Sequence, residues 1–184
     1  MTWLINIVIL LVLTTFSLSG RLNLKSWRKL FWIVVILEIV FLADLTKYLY
    51  LLWEGNELSK YLLPPYSGLE YFFFYAGTRI WAPYLVSFVV GFIGFLGFKW
   101  LNKKRGGMFF YDEELYFLWL GVFLSGHPGW IVYFIILFAL MFILTAYRKT
   151  RTSFYYLWFP MGIVAIFLNQ LLSVNWGLYG KLFI

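Results

Sequence analysis

From Tyr84 to Phe98 the chain carries no charged residue, and from Leu30 to Leu52 only Glu38, Asp44 and Lys47 interrupt an apolar run. A helix needs about 20 mostly apolar residues to cross the hydrocarbon of a bilayer. Stretches this long and this evenly apolar are not one face of an amphipathic helix, so they predict membrane spans. The composition agrees: 63% of residues are hydrophobic and 12% charged, against about 25% charged in an ordinary soluble domain.

Seven apolar segments follow along the chain: Trp3–Ser17, Leu30–Leu52, Leu69–Ile80, Pro83–Leu101, Asp112–Leu124, Trp130–Ala146 and Phe154–Val174. Short connections and the lack of a low-complexity linker predict a single membrane domain over residues 1–184, an all-α polytopic bundle of six or seven spans. Met1–Gly20 has the apolarity of a secretory signal but no positively charged start, and is expected to stay as the first span. Leu69–Ile80 and Asp112–Leu124 are short, reaching about 18–20 Å as helices. Each either extends into flanking polar residues or is a half-helix whose ends protein must cover.

Charge placement bears on orientation. Lys103, Lys104 and Arg105 form one basic cluster, and Arg148, Lys149 and Arg151 another. Two spans separate them, so both lie on one side, expected to be the cytoplasm. Arg21, Lys25, Arg28 and Lys29 join that side if Leu69–Ile80 is re-entrant (six spans) and oppose it if that segment crosses (seven). The net charge of +7 comes from these clusters between apolar runs, and no phosphate loop or basic–aromatic array accompanies them. Lipids, and no nucleic acid, are the expected partners. Trp27, Trp32, Trp53, Trp81, Trp100, Trp130 and Trp158 stand near segment ends and read as interfacial belt anchors.

The absence of cysteine removes disulfides, Cys-zinc and iron–sulfur sites and thiol nucleophiles. One histidine, His127, cannot supply a histidine-based metal cluster and reads as a turn residue in Gly126-His127-Pro128-Gly129. No cofactor or metal is expected. Gly91, Gly94 and Gly97 suggest a closely packed helix face. Arg79 reads as a snorkelling residue, and Asn169 and Gln170 as interhelical hydrogen-bond formers.

An ionisable residue inside an apolar span costs about 2.5–3.5 kcal/mol on insertion scales. Asp44, in Val40-Phe41-Leu42-Ala43-Asp44-Leu45, is the clearest instance, with Lys47 as an ordinary pairing partner on the same helix face. Glu38 stands on a different face of that segment, pairing with a basic residue or facing a cavity. Asp112 follows Gly106-Gly107 and opens an apolar helix, where aspartate also serves as an N-cap, with Glu113 and Glu114 as first-turn acids. Taken together, Asp44 and Asp112 suggest a dyad. Two carboxylates in one low-dielectric site share a proton, so that one activates water while the other protonates a leaving amine.

On these residues the chain resembles the type IV prepilin and preflagellin peptidases, which are intramembrane aspartic peptidases. Val40–Lys47 is similar to the segment holding the family's first catalytic aspartate. Lys103-Lys104-Arg105-Gly106-Gly107-Met108-Phe109-Phe110-Tyr111-Asp112 is similar to the basic, glycine-rich turn and Gly-x-Gly-Asp motif that hold the second. Gly121 and Gly126 fall where the following helix has its glycines, and Phe159-Pro160-Met161-Gly162 looks like the family's Pro-Phe-Gly segment. The likeness extends from Leu30 to Leu172. It implies an endopeptidase of a bacterial or archaeal cytoplasmic membrane, with Asp44 and Asp112 catalytic and a pilin-like precursor helix as substrate and partner. Phe109 and Tyr111 replace both motif glycines, Glu114 stands where the family has lysine, and the Pro-Asp after the first aspartate is missing. These departures motivate the alternative, a non-catalytic polytopic scaffold or assembly subunit. A small transporter is a third reading, against which stand the few polar residues in the spans and the lack of an inverted repeat. In the peptidase reading, the two carboxylates should lie within about 4–8 Å of each other.

Overall fold

In the computed structural model the described residues are 2–19, 23–104, 106, 110–148 and 155–176. Among them every regular element is helical: α1 (Thr2–Ser19), α2 (Leu24–Gly55), α3 (Glu70–Ala76), α4 (Ala82–Lys104), α5 (Asp112–Ser125), α6 (Gly129–Arg148) and α7 (Trp158–Trp176). A short 3-10 helix, Ser59–Leu62, follows α2, and a π turn, Gly77–Trp81, joins α3 to α4. Thr2–Ser19 and the 35-residue run Glu70–Lys104 are long and apolar enough to cross a membrane, while Gly129–Leu144 and Trp158–Leu172 are shorter apolar helices.

Local chemistry marks the ends. Asn23 is extended and its side chain accepts the Ser26 N–H at 2.9 Å, so α2 begins well before Leu30. At the other end, the Asn56 N–H bonds the Trp53 carbonyl and its side chain accepts from Leu58 and Ser59, turning the chain into the 3-10 helix. The expected separate segments Leu69–Ile80 and Pro83–Leu101 form one continuous helical run. Proline inside a helix lacks an N–H and its ring collides with the preceding turn. The π turn just upstream, with the Ala82 N–H bonded back to the Gly77 carbonyl, adds the residue that accommodates Pro83 without ending the helix. Leu69–Ile80 and Pro83–Leu101 are therefore not separated by a break in the helical run.

The bundle is organised around α5. From Leu115 to Ser125 every residue except Tyr116 is buried, the pattern of a helix enclosed on all sides. It packs against α1, α2, α4, α6 and α7, which explains how so short an apolar helix is covered. Ring contacts give the directions. Trp27 meets Phe117 and Phe31 meets Trp119, both at 4.4 Å between centroids, so α2 runs parallel to α5. Tyr84 meets Phe123 and Phe95 meets Tyr116, so α4 runs antiparallel. One end of the bundle thus gathers the starts of α2, α5 and α7 with the end of α4, closed by Phe98–Phe110, Phe110–Trp158 and Trp27–Phe159 pairs. The opposite end gathers the starts of α1 and α4 with the end of α5, where the His127 N–H bonds the Pro83 carbonyl and Asn6 bonds the Leu124 carbonyl.

Two elements reach beyond that second end. The buried residues of α2 stop at Leu42, yet the helix continues to Gly55 for about another 20 Å at 1.5 Å per residue. α3 and the π turn return along it, with Trp53 against Tyr71, Phe72 and Tyr75 and the Trp81 indole donating to Thr46 Oγ1 at 3.0 Å. This pair forms a helical arm on the bundle.

Tryptophan placement differs from the belt expectation. Trp32 and Trp100 are exposed on the outside, but Trp27 and Trp158 are 0% and 1% exposed. Trp27 packs into an aromatic cluster with Phe117 and Phe159, where a large ring fills space between three helices, and Trp158 packs against Phe110. The outer faces of the bundle are apolar: Leu11, Ile36, Val40, Ile93, Ile135 and Phe142 are all exposed.

Candidate functional site

Asp112 is the first residue of α5 and is exposed. The turn before it is held by Asn102 of α4, whose side chain donates to the Phe110 carbonyl at 2.9 Å and accepts the Phe110 N–H at 3.3 Å. Tyr111 is extended, and the Glu114 carboxylate reaches back to accept the Tyr111 N–H at 3.2 Å. The acidic first turn suits the positive end of the helix, and Glu114 makes the reciprocal half of a capping box. Arg105, Gly107, Met108 and Phe109 of the basic glycine-rich turn lie outside the described residues.

Asp44 lies on α2 just past its last buried position, at the root of the arm, and is exposed, as is Lys47. Its distance from Asp112 follows from the shared direction of α2 and α5. Trp27 and Phe117 are side by side; Asp44 stands about 25 Å further along α2, and Asp112 about 7 Å back along α5. The two carboxylates are therefore at opposite ends of the bundle, about 30 Å apart along its axis. Carboxylates at that separation cannot both reach one water or one substrate group.

The acids that the bundle does bury are others. Glu38 is 0% exposed, and neither of its oxygens has a hydrogen-bond partner. Glu114 is 2% exposed; one oxygen takes the Tyr111 N–H and the other has no partner. The buried Trp158 indole N–H likewise has no hydrogen-bond partner. Glu38 stands about 16 Å past Trp27 along α2, and Glu114 about 4 Å before Phe117 along α5, so these two are not a pair either. A sequence signal for Glu38 exists. The buried residues of α2 are Trp27, Phe31, Val34, Val35, Glu38 and Leu42, steps of three and four that put Glu38 on the core stripe and leave Asp44 off it.

The remaining candidates have structural partners. His127 is half-buried in its turn, its Nδ1 accepting from the Trp130 indole at 3.1 Å. Phe159 is fully buried against Trp27 and Phe117, and Gly162 lets Leu10 approach to 3.1 Å of where a Cβ would stand. Gly91 admits the Trp119 ring, whereas Gly97 faces open space, so the three glycines do not line one tight contact. Asn169 lies against Gly129 of α6. Arg79 is exposed on the arm, beside an apolar groove of about 290 Å³ lined by Leu45, Tyr48, Leu49, Leu52, Tyr75 and Ile80. Among the described residues no group of three or more His, Cys, Asp or Glu side chains could hold a metal ion.

No protein-family model, curated protein or solved structure matches the chain.

Proposed function

We propose that this protein is a non-catalytic polytopic membrane bundle, a scaffold or assembly subunit. Six helical passes would cross the bilayer, formed by α1, α2, the α3–α4 run, α5, α6 and α7. Membrane residence is supported by the apolar outer faces of helices whose inner faces already fill the core. A soluble protein rarely leaves apolar patches of that extent in water. In this arrangement Lys25, Arg28 and Lys29 at the start of α2 share one end of the bundle with Lys103 and Lys104 at the end of α4. That end faces the cytoplasm by the excess of positive charge. The arm then projects on the opposite side, and Asp44, Lys47 and Arg79 leave the hydrocarbon, which removes the cost of burying them there.

The observation that carries the non-catalytic reading is the separation of Asp44 from Asp112. An aspartic peptidase of the prepilin-processing type needs its two carboxylates close enough to hold one proton and one water between them. The replacement of both motif glycines by Phe109 and Tyr111 points the same way. The test is co-expression of the wild-type chain, Asp44→Asn and Asp112→Asn with a pilin-like membrane precursor, followed by the precursor's electrophoretic mobility. The leader stays attached in all three cultures. Leader removal by the wild type that is lost in both variants would establish the peptidase instead.

A further inference from the structure

Past Leu42, the last core residue of α2, an apolar stripe continues at Leu45, Tyr48, Leu49 and Leu52, steps of i, i+3, i+4 and i+7 that share one helix face. α3 and the π turn return beside it and are pinned to α2 at two levels. The Trp81 indole donates to Thr46 Oγ1 at 3.0 Å, and the Tyr75 ring meets Trp53 at 5.2 Å. Between those ties the two elements do not close. They leave a groove of about 290 Å³, walled on one side by the stripe and on the other by Tyr75, Arg79 and Ile80. Arg79 and Ile80 belong to the π turn, whose extra residue takes them off the α-helical register; turns of this kind are frequent at functional sites.

Arg79 is exposed and is the one charged residue in the lining. Asp44 and Lys47, exposed on the same stretch of α2, offset each other, and Glu54 and Glu70 lie past the Trp53 contact toward the tip of the arm. A guanidinium at an otherwise apolar groove suits a ligand with an apolar chain and an anionic end. The arginine stem packs along apolar surface while its head stays outside, and its planar fork matches a phosphate. The groove stands where α2 leaves the core, the headgroup level in the membrane arrangement above, and the ligand class rests on that reading. Phospholipid supplies both parts at that level. The volume is at the low end of small-molecule sites, about 300–1,000 Å³, enough for part of one acyl chain and too little to enclose a helix about 10–12 Å across. We propose that this groove binds an acyl chain of one anionic phospholipid, with Arg79 holding its phosphate.

The experiment is native mass spectrometry of the full chain released from maltoside micelles after addition of palmitoyl-oleoyl phosphatidylglycerol, the matching phosphatidylcholine, or inorganic phosphate. Basic residues at the other end of the bundle also attract anionic lipid, equally in each variant, so the quantity read is the difference from wild type. Wild type keeps one phosphatidylglycerol more than Arg79→Gln, which binds that lipid about tenfold more weakly, the loss of one charge-assisted contact. Arg79→Lys recovers part of the difference. Leu49→Trp, which fills the groove, loses the same lipid, and excess inorganic phosphate does not displace it from wild type, because the chain is held as well. Equal retention of phosphatidylglycerol by wild type and Arg79→Gln overturns the site, and so does its retention by a folded Leu49→Trp or its displacement by phosphate. Because Arg79 is exposed, its replacement leaves the core intact and keeps the test decisive if Leu49→Trp does not fold. A dimer that Leu49→Trp converts to monomer assigns the groove to a second copy and overturns the lipid. Carbonate washing of the host membranes separates the two readings. A chain that stays in the pellet without the lipid difference overturns the groove alone, whereas a chain released into the supernatant overturns the membrane reading and the site with it.

Discussion

A Cβ at Gly91 would stand 2.5 Å from Trp119 Cδ1, and the Trp119 indole is fixed by a 3.0 Å bond from its N–H to the Phe88 carbonyl. The same ring touches Phe31, Phe88, Phe92 and Phe95, so it has little room to retreat. Gly91→Ala should therefore lose about 1–3 kcal/mol, the usual penalty for overpacking a filled site. Gly97 meets nothing within 4 Å, and Gly97→Ala should be neutral or gain up to about 1 kcal/mol from helix propensity. Unfolding of the two variants in detergent checks the contrast; equal losses would mean that the α4–α5 contact is not where the rings place it. The three glycines look alike in sequence. Only the partner helix distinguishes them, because spacing reveals a face but not what stands opposite it. Trp27 and Trp158 teach the same point from the aromatic side. Position near a segment end suggested the membrane interface, and packing prevailed, of Trp27 against Phe117 and Phe159 and of Trp158 against Phe110.

At the level of helices, most segments were legible because apolar runs this long have few alternatives to helix. α5 begins at Asp112, where the sequence places it, since an acidic first turn after a glycine-rich turn is a strong start signal. α2 was harder. Leu24 to Lys29 is polar enough to read as a connection, yet the Asn23 cap and the buried Trp27 make it the first turn and a half of the helix. The link from α3 to α4 falls between the expected segments Leu69–Ile80 and Pro83–Leu101, and a π turn carries the helix through it. The arm follows from these two extensions, and its orientation gives a prediction. The chain has no cysteine, so a single introduced thiol reports its own surroundings. Glu57→Cys, exposed at the arm's tip, should react with a membrane-impermeant maleimide added to intact cells. Lys104→Cys, exposed at the basic end, should react only after the membrane is permeabilised. The reverse pattern would invert the bundle, and labelling of both in intact cells would place the two ends on one side.

Across the whole molecule, the direction of α2 relative to α5 decides what the acids can do. Linear spacing kept Asp44 and Asp112 in an order that suggested a dyad, because sequence counts residues without recording which way each helix runs. Parallel packing carries one aspartate to the arm and leaves the other at the basic end. The buried acids, Glu38 and Glu114, were treated as minor beside them. The stripe of α2 could have exposed Glu38, whereas nothing local to Glu114 separates a cap that turns inward from an ordinary first-turn acid. The bundle is thus arranged to enclose one central helix and to present its charges at two opposite ends, with Glu38 as the exception between them. The most direct test of this arrangement is the distance between positions 44 and 112. Asp44→Cys and Asp112→Cys in the otherwise cysteine-free chain take one spin label each, and double electron–electron resonance in lipid nanodiscs reads their separation. The account predicts a dominant distance of about 30 Å from the helix rise. A dominant distance below about 15 Å, close enough for side chains to share a site once label length is allowed for, would contradict it.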